Sequence, residues 1–162
     1  MVHSSISPSF RCLKIARYIS LNLFNPSILV WGCSLALEFY TKRPLITVSP
    51  STPIAEAVKK MASANVGSVL VVDDDSKLVG IFTERDLVRV VAQGIDLGTP
   101  IEKVMTRNLI VLTPDENINS AVRKMIDHGI RHIPLVDKTG RPIGIVSIRD
   151  VLRTYVAGCS PP

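Results

Sequence analysis

Thr83, Arg85 and Asp86 fall within one short stretch, and Ser147, Arg149 and Asp150 repeat the arrangement 64 residues later. A hydroxyl followed three positions on by a carboxylate closes the first turn of a helix, each side chain bonding the other's backbone N–H. The same groups have a second use. A carboxylate accepts and does not donate, which suits the paired hydroxyls of a ribose. A hydroxyl and free helix N–H groups hold a phosphate, and an arginine clamps it bidentately. A cap alone accounts for one such corner. It accounts less well for two that keep their surroundings in register. Gly80-Ile81-Phe82-Thr83-Glu84-Arg85-Asp86-Leu87 is matched by Gly144-Ile145-Val146-Ser147-Ile148-Arg149-Asp150-Val151.

These corners need strands before them and helices after them. Ile46 to Ser49 reads as a short strand stopped by Pro50, and Thr52-Pro53 reads as an N-cap with proline at the first helical position. Ile54, Ala57, Val58 and Met61 share one helical face, which makes Met61 a core residue. Asn65 and Gly67 end that helix. Ser68 to Val72 is a buried strand, Asp73 to Lys77 a polar turn, and Leu78 to Phe82 the strand that leads into the Thr83 corner. A helix runs on to about Gln93, and Gly94 to Pro100 is a linker.

The second half repeats this order. Ile110 to Leu112 is the short strand. Ile118, Ala121, Val122 and Met125 form the helix face, and Gly129 ends the helix. Ile133 to Val136 and Pro142 to Val146 are strands, and a last helix runs to about Tyr155. The repeat is ungapped from Ile46/Ile110 to Arg89/Arg153. The expected fold is α+β: two β-α-β-β-α repeats packed as a pseudo-twofold pair, preceded by an apolar N-terminal extension. One repeat is too small to bury its own sheet, and two bury those faces together, leaving a cleft between them. The expected division is 1–40 extension, 41–98 first repeat, 99–156 second repeat and 157–162 tail.

Composition excludes several classes. Of the net charge of +5, all but one unit belongs to the N-terminal segment, where Arg11, Lys14, Arg17, Lys42 and Arg43 face only Glu38. The repeated region is nearly neutral and offers no footprint for nucleic acid. Cys12, Cys33 and Cys159 are odd in number and lie outside the repeats, which suits a reducing compartment. His3, His128 and His132 form no metal spacing with them. The Asp73-Asp74-Asp75 run reads as a solvated turn. No nucleophile–base pair or glycine-rich phosphate loop is present, so no enzyme activity and no metal are expected.

The stretch from Tyr18 to Leu37 carries no charge, but Asn22, Asn25, Pro26, Ser27 and Ser34 interrupt it. Four readings of residues 1–40 stand side by side: a covering or partly disordered extension, a membrane anchor through 18–37, a targeting peptide, and an early start codon. As an appendage, it is expected to leave a chain that starts near Thr41 soluble. Cytoplasmic location is the primary expectation, with membrane association or organelle targeting as alternatives.

Residues from about 45 to 153 resemble a tandem pair of cystathionine-β-synthase (CBS) domains, a Bateman module. The resemblance rests on the two corners, the helix faces, the strands ending at Asp73 and Asp137, and Arg131-His132-Ile133-Pro134-Leu135-Val136-Asp137. It implies binding of adenosine-containing ligands, namely AMP, ADP or ATP, and in some members S-adenosylmethionine or NAD-type molecules. It also implies composite sites. Thr83 and Asp86 would face Leu109, Ile110, Arg131, His132, Ile133 and Pro134, with Arg149 near the phosphates. Ser147 and Asp150 would face Leu45, Ile46, Gly67, Ser68, Val69 and Leu70, with Arg85 near the phosphates. Arg131 and His132 give the first site more cationic reach than Gly67 and Ser68 give the second. The expected function is a non-catalytic adenine-nucleotide sensor, homodimeric, that changes a protein partner's activity. The alternatives are a ligand-free scaffold whose corners only cap helices, and a membrane-associated accessory subunit of an enzyme or transporter.

Overall fold

The computed structural model describes residues 37, 40 and 44–156, all within the compact unit Leu35–Pro162. The architecture is α+β, in two repeats. In the first, strand β1 (Thr47–Val48) leads to helix α1 (Ile54–Ala64), then to the hairpin β2 (Ser68–Val72) and β3 (Leu78–Thr83), and to α2 (Glu84–Ala92). A 3-10 turn at Ile101–Lys103 opens the second, followed by α3 (Ile118–His128), the hairpin β4 (His132–Val136) and β5 (Pro142–Ser147), and α4 (Ile148–Val156). The first sheet has the order β1-β2-β3, with β1 parallel to β2 and β2 antiparallel to β3.

Among the described residues, the second sheet consists of β4 and β5. The expected strand at 110–112 is reduced to a single parallel bridge, Leu112 to Leu135. The cause is one atom. In the first repeat the Leu70 N–H donates to Ile46 O at 3.0 Å. The repeat equivalent of Leu70 is Pro134, which has no N–H to give Ile110. Only the bonds around Leu112 survive, from its N–H to Pro134 O and from the Val136 N–H to its carbonyl, both 2.9 Å. Lys124 then holds the loosened edge, donating to Val111 O at 2.9 Å and pairing with Glu116 at 2.8 Å.

Helix ends follow local chemistry with one exception. Asn65 and Gly129 close α1 and α3 in the left-handed region, at φ 52° and 61°. Asn117 caps α3 through its side chain, which accepts from the Ser120 N–H. Thr52 does not cap α1, whose cap is Pro53. The Thr52 hydroxyl bonds Ser49 Oγ instead, and its carbonyl accepts the Ile101 N–H at 2.8 Å. Tertiary pairing has claimed the residue that local spacing marked as a cap.

The two cores exchange their leading segments. Ile101 and Met105, which open the second repeat, are buried with Val48, Ile54, Val69, Val71 and Phe82 of the first. Leu37 and Tyr40 are buried with Leu112, Ile118, Ile133, Leu135 and Val146 of the second. Leu37 and Ile101 are again 64 residues apart, so the repeat extends upstream of Ile46. Leu37 and Tyr40 fall within the expected N-terminal extension, yet they are 0% and 6% exposed. The exchange explains the corner glycines. A Cβ on Gly80 would lie 2.3 Å from Met105 Sδ, and one on Gly144 would lie 2.8 Å from Tyr40 O. At the other end, the Leu78 N–H donates to Gly140 O and Arg141 Nε to Asp75 O, so the two hairpin turns pin each other. Among the described residues, no helix is long and apolar enough to cross a membrane. The anchor, targeting and start-codon readings concern residues outside those described.

Candidate functional site

Each corner forms as its spacing predicts. At the first, the Thr83 N–H and hydroxyl donate to Asp86 Oδ2 at 2.8 and 2.7 Å, and the Asp86 N–H returns to Thr83 Oγ1 at 3.4 Å. At the second, the Ser147 N–H and hydroxyl donate to Asp150 Oδ2, and the Asp150 N–H returns to Ser147 Oγ at 3.4 Å. Both carboxylates are nearly buried, 4% and 7% exposed. Buried carboxylates are tolerated where such bonds replace water. Asp86 Oδ1 is also paired with Arg89, one helical turn on.

Each corner opens into its own cleft. The first, of about 170 Å³, is lined by Thr83, Arg85, Asp86 and Arg89 of one repeat and by Arg131 and His132 of the other. The second, of about 220 Å³, is lined by Ser147, Arg149, Asp150 and Arg153, facing Leu45, Ile46, Gly67, Ser68 and Leu70. Each cleft is thus lined from both repeats. A third hollow over β1 and α1, with Glu56, Lys59 and Lys60 on its rim, is a shallow surface without a corner.

Several expected residues lie elsewhere. Arg149 lines the second cleft and Arg85 the first, each beside its own aspartate. Each stands in the first turn of its own helix. Arg85 does reach across the repeats, where its Nη1 donates to Gly129 O at 3.1 Å, at the carbonyl end of α3. Val69 and Ile133 are 0% exposed and belong to the two cores. The strand period of two puts Ser68 and Leu70 on the cleft face and turns Val69 away. Pro134 is buried in β4, and the half-buried Leu109 and Ile110 stand outside the first lining. Neighbours that the sequence reading missed include Glu84, Arg89 and Thr106 in the first cleft, and Asn65 and Arg153 in the second. Arg89 and Arg153 had a signal: they are repeat equivalents, three residues after each aspartate.

His132 lines both clefts. Burial lowers its pKa below the ordinary histidine value. Glu84 opposes that shift, Arg131 and Arg149 reinforce it, and Asp150 opposes it more weakly. Its ring occupies space that only a glycine leaves, since a Cβ on Gly67 would lie 3.2 Å from Cε1 and Nε2. Among the described residues, no group of three or more His, Cys, Asp or Glu side chains is placed to hold a metal.

Two corner-lined clefts between a pair of repeats define a tandem-repeat cleft module. The CBS domain family matches residues 37–93 and again 101–157, and the chain belongs to it. An uncharacterized 17.7 kDa protein of Acidianus ambivalens is 42% identical over 109 residues, covering 67% of this chain and 66% of its own. The chain spans no more than two thirds of the length of such curated relatives. Among solved structures, the CBS domain pair of protein MJ0100, in complex with 5-methylthioadenosine and S-adenosyl-L-methionine, is 33% identical with a TM-score of 0.70, over 75% of this chain and 96% of that one. The CBS domain protein PAE2072 of Pyrobaculum aerophilum, complexed with AMP, is 29% identical with a TM-score of 0.70, over 76% and 97%.

Proposed function

We propose that this protein is a non-catalytic regulatory module that binds an adenosine-containing ligand in each cleft and passes the change to a protein partner. The observation that carries the reading is the paired corner. A hydroxyl, a buried carboxylate and two arginines stand on one side of each cleft, with residues of the other repeat opposite. AMP, ADP and ATP fit this set best. The carboxylate accepts from the ribose hydroxyls, and Arg85 and Arg89, or Arg149 and Arg153, meet the phosphates. In the first cleft a ribose shares or displaces the Arg89 pair on Asp86 Oδ1, which frees that guanidinium for phosphate. S-adenosylmethionine, bound by a neighbour in structure, and NAD-type molecules are the alternative ligands of the same corner. A module that reads AMP against ATP reports energy state.

The same reading includes a homodimer. Val88 on α2 and Leu152 on α4 are repeat equivalents, and they are 67% and 57% exposed; Val91, one turn from Val88, is 67% exposed. Equivalent apolar positions on both repeats suit an isologous contact with a second copy. A cytoplasmic setting suits such a ligand.

Calorimetric titration with AMP, 2′-deoxy-AMP and adenosine tests the ligand reading. AMP is expected to bind two per chain. Hydrogen bonds to a charged group are worth about 1.5–3 kcal/mol, so 2′-deoxy-AMP should bind about ten- to over a hundredfold more weakly. Asp86→Asn and Asp150→Asn should each weaken one of the two sites. Arg85→Ala and Arg149→Ala should weaken AMP more than adenosine. If neither asparagine variant changes any affinity, the corners are caps and AMP binds elsewhere; if no AMP binds at all, the scaffold reading stands.

A further inference from the structure

We propose that His132 couples the two clefts: an anion seated in either one draws a proton from solvent onto the shared imidazole, and the new charge strengthens binding of a second anion in the other. This rests on the ligand reading above and deepens it. Three observations carry it. His132 lines both clefts, so either occupant meets the same side chain. Its repeat equivalent is Ser68, so the pseudo-twofold pair holds this group on one side only. Gly67, opposite, has no side chain, and a Cβ there would press on the ring at 3.2 Å and on Glu84 Cδ at 3.3 Å.

The surrounding charges set the sign. Glu84 faces the ring from α2, Arg131 from the residue before β4, and Arg149 and Asp150 from α4. Arg85, Arg89 and Asp86 share the first cleft with it, and Arg153 shares the second. Burial and the nearby guanidiniums keep the imidazole neutral near pH 7 in the free protein. A bound phosphate adds negative charge and favours imidazolium. Binding therefore takes up a proton, and affinity gains as pH falls through the window between the ligand-bound value and the lowered free one. The gain in affinity is bounded by the factor by which the bound anion raises the imidazole's affinity for its proton.

The experiment is AMP titration of the full chain at pH 7.5 and 6.0, each in buffers of different ionisation enthalpy, for the parent, His132→Gln and Gly67→Ala. Native mass spectrometry counts the bound molecules. The parent should take up protons, and its second AMP should bind up to about tenfold tighter at pH 6.0 than independent sites allow. Both effects should be lost in His132→Gln and reduced in Gly67→Ala, whose methyl group displaces the ring. The phosphate's own titration is common to all three proteins and cancels in the comparison. Adenosine, which has no charge to offer, should bind its two sites independently. The proposal is overturned if His132→Gln matches the parent in proton uptake and in the ratio of the two steps, or if adenosine shows the same coupling. One AMP per chain would overturn it and leave the ligand reading intact, whereas no AMP at all would overturn both.

Discussion

The two repeats carry the same instructions and execute them differently. Both close a hydroxyl–aspartate corner, and both end their first helix in the left-handed region. They part at the central residue of the first hairpin strand. Leu70 zips β1 onto the first sheet, while Pro134 leaves the matching edge of the second held by Leu112 and by Lys124. The difference teaches that an edge short of a ladder bond can be held by a side chain of another element. It also falls beside function. The zipped edge, at Leu45 and Ile46, lines the second cleft, and the unzipped edge, at Leu109 and Ile110, stands outside the first.

The exchange of leading segments gives the widest test of how alike the halves are. Leu37→Ala should destabilise the second repeat's core and Ile101→Ala the first's, each by about 2–5 kcal/mol. Denaturant unfolding gives the size, and hydrogen exchange gives the location. Loss of protection in the variant's own repeat, with the opposite core untouched, would break the picture of reciprocal cores.

The Lys124 clamp offers a smaller effect with a pH signature. Burial pushes the Glu116 carboxyl up, but Lys124, the Ser120 hydroxyl and the Thr113 N–H outweigh it, and its pKa lies below the usual glutamate value. The contribution is therefore present above the unfolded glutamate value, ~4.3, and is lost as pH falls through the lowered folded one. Glu116→Gln should cost about 1 kcal/mol or less near pH 7 and nothing in strong acid. An equal cost at both ends would show that the carboxylate's charge is irrelevant.

Pro134→Val should have the smallest net effect on stability and the most local one. The new N–H gains a bond to Ile110 O, while the unfolded chain gains freedom, so the two offset to within about 1 kcal/mol. The amide at 134 should then exchange as slowly as that of Leu70. Exchange at loop rates would mean that something other than the missing donor keeps 109–111 off the sheet.

Local chemistry was legible in the sequence. The corners, the helix faces and the hairpins rest on spacings of two, three and four residues. The resemblance supplied the composite clefts. What escaped depends on facing and on distance along the chain. Val69 and Ile133 sit in strands that are apolar on both faces, so their composition does not show which side meets the cleft. The polar starts at Ser68 and His132 were the available clue, since each strand alternates from there. The side on which Arg85 and Arg149 act follows from where their helices are planted. Leu37 closes an uncharged run and Tyr40 lies just beyond it, with no visible partner, because the partners lie some seventy to one hundred and ten residues on.

The exchanged cores also bear on how the chain is made and where it came from. Leu37 and Tyr40 leave the ribosome before any of the strands they pack against, so they are seated only after the second repeat has been made. A cut in the linker at 94–99 would give each half the wrong leader: the first would carry the second's plug, Leu37 and Tyr40, and the second would carry the first's, Ile101 and Met105. Two copies of one half, trading leaders, would complete both cores. The present molecule has the geometry of that two-copy assembly, joined end to end into one gene.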